Sequence, residues 1–218
     1  MTFAALNTVF ADTAAPRRDA GLDVPGVRMA FAAGEEIYAQ DEEADLIYRV
    51  IEGSVRTTRL GSDGRRQIGD FYYPGDVFGL ETGAEHRFSA EALCDCQISV
   101  TRRAVLSRQG DDGFRVERMI WAATARELQR TQEHLLLLRR RTACEKVASF
   151  LLDLADRFGG ETTTLPMGRQ DMADYLGLTI ETVSRMVTQL QADGLVEFSG
   201  NRRFRIRSRS GLSRLIVA

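Results

Sequence analysis

The amino-acid sequence predicts an α+β chain: a β-barrel of the jelly-roll kind, then one long helix, then a C-terminal winged helix-turn-helix. Three observations predict it. Short β-branched and aromatic runs recur between glycine-bearing turns over residues 28–107. A stretch of about 28 residues, 114–141, then passes with neither Pro nor Gly. Beyond it, two short amphipathic segments meet at a glycine and lead into an arginine-rich hairpin. The expected division is a leader over 1–27, the barrel over 28–110, the long helix over 111–141 and the winged helix-turn-helix over 142–218.

The leader, MTFAALNTVFADTAAPRR, lacks a basic start and a long apolar run, so it does not read as a secretory signal. The barrel strands are read from Glu36-Ile-Tyr-Ala, Leu46–Ile51, Ser54–Leu60, Gln67–Tyr73, Phe88–Leu93 and Gln97–Thr101. Turn signals at Gly34, Gly53, Ser62-Asp63-Gly64 and Pro74-Gly75-Asp76 separate them, a spacing typical of sandwiches and barrels. Asp63-Gly64 marks a hairpin, because glycine supplies the positive φ of a tight turn.

In the long helix, apolar residues step by threes and fours through Val116, Met119, Ile120, Ala123, Leu128, Thr131, Leu135 and Leu138. At 1.5 Å per residue the helix would reach roughly 40 Å. A near-heptad stripe on so long a helix suits pairing with a second copy of the chain, through Met119, Ile120, Ala123, Leu128, Thr131, Leu135 and Leu138. Ala143–Phe158 forms the next helix, with Val147, Phe150, Leu151 and Leu154 on one face and Gly159-Gly160 as its stop.

Arg169–Leu176 reads as a short helix that buries Met172, Ala173 and Leu176. Gly177 allows a sharp turn, and Thr179 is a favourable N-cap for a helix reaching Ala192. That second helix buries Val183, Met186, Val187 and Leu190, which leaves Ile180, Glu181, Ser184 and Arg185 on its outer edge. In a helix-turn-helix this edge enters the DNA major groove. Arg185 suits guanine O6 and N7, Glu181 a cytosine amino group, Ser184 several base edges, and Ile180 a thymine methyl. After Gly194, Leu195–Phe198 and Arg203–Arg207 read as a two-stranded wing facing the core with Phe198, Phe204 and Ile206. Arg169, Thr179 and Thr182, with Arg202, Arg203 and Arg205 of the wing, are expected to meet DNA phosphates.

Composition agrees with a globular protein and excludes several classes. The chain has 44% hydrophobic and 28% charged residues and a net charge of −2. The total charge gives no hint of nucleic acid, but residues 198–214 hold six arginines and no acid. Phosphate attraction acts over about 8 Å in physiological salt, so a local strip outweighs the total. No run is long and apolar enough to span a membrane. Three cysteines, Cys94, Cys96 and Cys144, do not make a disulfide framework, and the cytoplasm is the natural compartment. Cys94 and Cys96 fall two apart on an expected strand and read as small core residues. The two histidines, His86 and His134, stand apart, so no metal site is expected. Nucleophile triads and phosphate loops are lacking, and an enzyme is not expected.

The motifs also carry a resemblance. Pro74-Gly-Asp-Val-Phe-Gly-Leu-Glu81, Glu85–Ala92 and Tyr175-Leu-Gly-Leu-Thr-Ile-Glu-Thr-Val-Ser-Arg185 resemble the cyclic-nucleotide-receptor and fumarate–nitrate-regulator (CRP/FNR) superfamily of bacterial regulators, closest to its FixK-type branch. Glu181, Ser184 and Arg185 match the fumarate–nitrate-type recognition signature. The resemblance implies a cyclic-nucleotide-binding-type barrel, homodimers on TTGA…TCAA palindromes, RNA polymerase as a partner, and control of microaerobic and nitrogen-fixation genes. Two departures bear on cofactors. Residues 1–93 contain no cysteine, whereas an iron–sulfur centre needs about four thiolates. Asp76 follows Gly75, and Phe88 precedes Ser89, so the cyclic-nucleotide residues are out of register. No cofactor is expected. Two readings of the barrel stay open: a scaffold, or a receptor that binds a small effector.

Overall fold

The computed structural model describes residues 26–81, 83–104 and 111–217, the side chains of 111–113, 115, 116 and 217 excepted. The leader, apart from Gly26 and Val27, and the side chain of Val116 lie outside the described residues. Two four-stranded antiparallel sheets form the barrel, in the orders β1-β8-β3-β6 and β2-β7-β4-β5. The strands are β1 (Val27–Phe31), β2 (Glu36–Tyr38), β3 (Leu46–Glu52), β4 (Val55–Leu60), β5 (Arg66–Tyr72), β6 (Val77–Phe78), β7 (Ser89–Ala92) and β8 (Cys96–Arg102). β1 and β6 had no strand signal: β1 is a mostly exposed edge strand and β6 has two residues.

Alternation drives the barrel. Val50, Val55, Ala90, Ala92 and Ile98 are fully buried, and Tyr38, Tyr48, Tyr72, Phe78 and His86 fill the interior around them. The Tyr38 and His86 rings stack at 3.6 Å, and the Tyr48 and Phe78 rings at 5.2 Å. Gly53 turns the chain from one sheet to the other. Its φ is +89°, and a Cβ there would lie 2.5 Å from Cys96 Sγ, so both backbone and space demand glycine. The Asp63-Gly64 signal holds: β4 and β5 pair as a hairpin with Leu60 opposite Arg66. Cys94 corrects the strand reading, since it precedes β8 and is exposed, and only Cys96 joins the core.

Among the described residues five helices follow: α1 (Asp111–Leu138), α2 (Ala143–Phe158), α3 (Arg169–Leu176), α4 (Ile180–Ala192) and α5 (Arg209–Val217). Arg139–Arg141 lie beyond the end of α1, and Thr142 caps α2 by accepting from Glu145 N at 3.1 Å. The wing is a three-stranded sheet, β10 (Val196–Ser199), β11 (Arg203–Ile206) and β9 (Thr163–Thr164), one strand more than expected. α5 was also unforeseen. It buries Leu212 and packs on α2.

β5 does double duty. Its residues Ile68 and Phe71, with the following Tyr73, share one apolar cluster with Phe150, Leu154, Leu176 and Val187 of the C-terminal helices. The Phe71 and Tyr175 rings lie 5.2 Å apart, and Tyr73 meets Phe158 edge-on at 4.9 Å. Beside this cluster sits a charged knot. Arg130 of α1 lies 3.1 Å from Asp76 and 3.5 Å from Asp70, and Arg157 of α2 also pairs with Asp76. Burial pushes the Asp70 carboxyl up to about 6, against the opposing pull of Arg130.

Because the Asp70 pKa is raised, the folded chain binds this proton more readily than the unfolded chain. Between about pH 4 and 6 the folded state therefore holds the extra proton, and stability falls as pH rises through that window. A rise of that size is worth about 2–3 kcal/mol. Asp70→Asn cannot ionise, so its stability relative to wild type should increase by about that amount from pH 4 to pH 7. Urea melts at several pH values check this, and parallel pH profiles for the two proteins would contradict it.

Candidate nucleic-acid interface

α3 and α4 are shaped by local chemistry. Met172, Ala173 and Leu176 of α3 face Val183, Val187 and Leu190 of α4, all buried. Gly177 between them takes φ +61°, ψ 43°, the left-handed cap that lets the chain reverse within three residues. Thr179 then caps α4, its Oγ1 accepting from Thr182 N at 3.2 Å. Gln191 Oε1 accepts from Phe198 N at 3.0 Å and ties the far end of α4 to the wing.

This packing leaves Ile180, Glu181, Ser184 and Arg185 together on the exposed edge of the first two turns of α4. Glu181 is held below the usual carboxylate range by its own backbone N–H, then by the Thr179 hydroxyl and by Arg185. Arg185 Nη2 reaches Thr182 Oγ1 at 3.4 Å, so the guanidinium leans toward the helix start rather than into the core.

A groove of about 560 Å³ runs between α4 and the wing, lined among others by Ser184, Thr188, Gln191, Gly200, Asn201 and Arg202. Arg169 forms its floor. The guanidinium stacks on the Phe198 ring at 4.6 Å, and its Nη1 has no hydrogen-bond partner among the described residues. Burial lowers its pKa from the ordinary arginine value. A half-buried guanidinium that lines an open groove suits an anion. Thr188, Gln191 and Asn201 went unnamed in the sequence reading. Thr188 and Gln191 could have been found there, because they continue the Ser184 stripe in steps of four and three.

The wing divides the arginines. Arg202 and Arg203 are exposed. Arg205 is not available in the same way. It faces Glu197 across the β10–β11 pair, bonding it at 2.9 Å, and approaches Glu161 at 3.4 Å. Arg207 also pairs with Glu197, and Arg209 with Asp156. Arg205 therefore does not point freely to solvent as expected: Arg205, Arg207 and Arg209, three of the six arginines of the basic strip, are held in partly exposed ion pairs within the chain.

α1 presents two faces. Met119 and Ala123 are 6% and 3% exposed, and Ile120 and Ala123 pack on Ile47, Val77 and Leu80 of the barrel region. Farther along this inner face, Glu127 accepts from the Tyr72 hydroxyl at 2.9 Å, and His134 Nε2 lies 2.8 Å from the Tyr175 carbonyl. On the other side, Phe114, Trp121, Leu128 and Leu135 are each 58–77% exposed, seven residues apart in sequence, with Thr131 and Leu138 alongside. Met119, Ile120 and Ala123 thus belong to the inner face, a correction to the expected seam. The reason is angular: at 100° per residue, Ala123 and Leu128 stand about 140° apart around the helix.

In the barrel, Glu81 and Ser89 have partners within the chain, whereas Arg87 faces solvent. Glu81 lies 3.3 Å from His86 Nδ1 and 3.7 Å from Arg103. Arg87 is exposed, and the Ser89 hydroxyl accepts from Gln40 N at 2.9 Å.

Comparison with known proteins gives a consistent result. Residues 28–111 match the cyclic nucleotide-binding domain family and residues 145–215 the Crp-like helix-turn-helix domain family. The chain is 48% identical over 202 residues to the nitrogen fixation regulation protein FixK of Azorhizobium caulinodans, covering 90% of this chain and 80% of that protein. It is 43% identical to the FixK of Rhizobium meliloti over 173 residues, covering 79% of each. The solved structure of FixK2 from Bradyrhizobium japonicum matches with a TM-score of 0.82 at 46% identity, covering 88% of this chain and 98% of that one. With its fold, its helix-turn-helix and these relatives taken together, the chain belongs to the CRP/FNR family of transcription regulators, in the FixK-like branch, and is not an enzyme.

Proposed function

We propose that the chain works as a homodimer that reads a palindromic TTGA-type DNA site and activates transcription of microaerobic and nitrogen-fixation genes. The observation that carries this reading is the exposed edge of α4, where Ile180, Glu181, Ser184 and Arg185 converge while the opposite face fills the core. Such an edge fits the major groove, and its side chains match base-edge chemistry. The groove beside it would take the DNA backbone, with Arg169, Thr179, Thr182, Arg202 and Arg203 as phosphate partners and Arg205 bracing the wing through Glu197.

Two copies would pair through the outer face of α1. Phe114, Trp121, Leu128 and Leu135 repeat at heptad spacing, with Thr131 and Leu138 at the intervening positions, a pattern suited to a coiled-coil seam. Their exposure in a single chain makes a contiguous apolar stripe that water disfavours. RNA polymerase would be the further partner and the cytoplasm the site of action. Among the described residues, no helix is long and apolar enough to cross a membrane. The barrel serves as a scaffold in this reading. Its interior is lined by the buried side chains of Tyr38, Tyr48, Tyr72, Phe78 and His86.

Arg185→Ala should weaken binding to a TTGA palindrome by about 1–3 kcal/mol per guanine contact, with little change on random DNA. Fluorescence anisotropy with both duplexes measures this, and an unchanged Kd on the palindrome would contradict the docking. Leu128→Glu should convert the dimer to monomer in sedimentation and reduce palindrome affinity toward that of a half-site. A Leu128→Glu protein that still sediments as a dimer would rule out the outer face of α1 as the seam.

A further inference from the structure

We propose that Arg56 and Arg66 of the barrel are positioning residues for DNA reading: they grip the first helix of the helix-turn-helix from behind and set the angle of α4 without touching DNA. The inference rests on the reading of α4 given above and adds a control point outside the DNA-binding unit.

Both arginines come from the β4–β5 hairpin. Arg56 Nη1 donates to Asp171 Oδ1 at 2.7 Å, and its Nη2 donates to both Glu91 carboxylate oxygens at 2.8 Å. Arg66 Nη2 donates to the same Asp171 Oδ1 at 2.8 Å. Arg66 also holds Asp174 Oδ2 through Nε at 3.0 Å and Nη2 at 2.6 Å. Two guanidiniums from the barrel therefore converge on two carboxylates one turn apart on α3.

The grip is sheltered. The Arg56 and Asp171 side chains are 16% and 8% exposed, and those of Arg66 and Asp174 are 31% and 16%. Partly buried, charge-assisted hydrogen bonds of this kind are screened less by solvent than surface ion pairs. Asp171 also anchors the start of α3, since Oδ2 accepts from Gly168 N at 3.4 Å. Gln170 Nε2 donates to Asp174 Oδ1 at 2.7 Å, which keeps that carboxylate aimed.

The route from clamp to DNA is short. Arg169, the floor of the groove, lies two residues before Asp171 and stacks on the wing through Phe198. On its buried face α3 locks to α4 through Met172, Ala173 and Leu176. A small rotation of α3 would thus shift both the phosphate groove and the base-reading edge. The barrel would then set DNA affinity through Arg56 and Arg66, and a substitution there would act on recognition at a distance.

The test is a charge swap in the full-length protein, with the TTGA palindrome and a random duplex as probes. Arg66→Asp and Asp174→Arg should each lower palindrome affinity by about tenfold, and the double variant should return to within about threefold of wild type. Sedimentation and circular dichroism should show intact folded dimers throughout. Where Arg66→Asp does not fold, Arg66→Gln removes the charge without reversing it and reads the same loss. Single variants that bind like wild type overturn the clamp, and so does a folded double variant that stays weak. Wild-type protein that prefers neither duplex refutes the α4 reading itself. Wild-type preference with no effect of the swap refutes only the clamp.

Discussion

The joint between β5 and the C-terminal helices constrains everything else in this protein. Ile68, Phe71 and Tyr73 lie in the same apolar cluster as the core of the helix-turn-helix, so the barrel and the DNA-binding unit do not possess separate surfaces at their contact. Each fully buried ring or aliphatic chain contributes about 1.5–3 kcal/mol relative to exposure. Separating the two units would expose several at once and would strand Asp76 without Arg157. Swinging α4 away from α1 is therefore expensive, and the distance from the α1 axis to the exposed edge of α4 is fixed by packing.

That fixed distance gives α1 its meaning. Its inner face is a mixture: apolar where it meets the barrel at Ile120 and Ala123, then polar at Glu127, Arg130 and His134, each with a partner from the barrel or α3. The outer face carries Phe114, Trp121, Leu128 and Leu135, which no other described residue covers. One helix thus ties the barrel to the helix-turn-helix, and in the proposed dimer its other side would meet a second copy. A filled barrel fits the same logic. A scaffold that holds α1 and α3 need not bind anything, and fold alone does not imply a ligand.

Much of this was legible in the sequence where the determinants are local. α2, α3 and α4 occupy the expected residues because periodicity, Thr179 and Gly177 specify them within a few positions. The exposed edge of α4 followed from the same periodicity. What depends on distant partners was hidden. The stripe along α1 mixed two faces, since apolar residues serve both the barrel and the outer surface and spacing alone does not say which neighbour each one meets. Arg205 looked like a phosphate contact, but one of its acids, Glu161, lies 44 positions away. The Arg56 and Arg66 contacts span more than 100 residues and leave no local mark. β9, with two residues, carries too short a pattern to detect, and α5 was absorbed into the basic strip that surrounds it.

In the proposed dimer, a rigid joint and a single seam along α1 would demand one separation between two DNA half-sites. The most direct measurement is a series of TTGA palindromes in which the central spacer is lengthened or shortened by one to three base pairs. Affinity should peak at one spacer, with half-sites about one helical turn apart, and fall toward the half-site value one base pair to either side. Equal affinity across the series would mean that the α4 edges move independently, and that the shared core does not hold them.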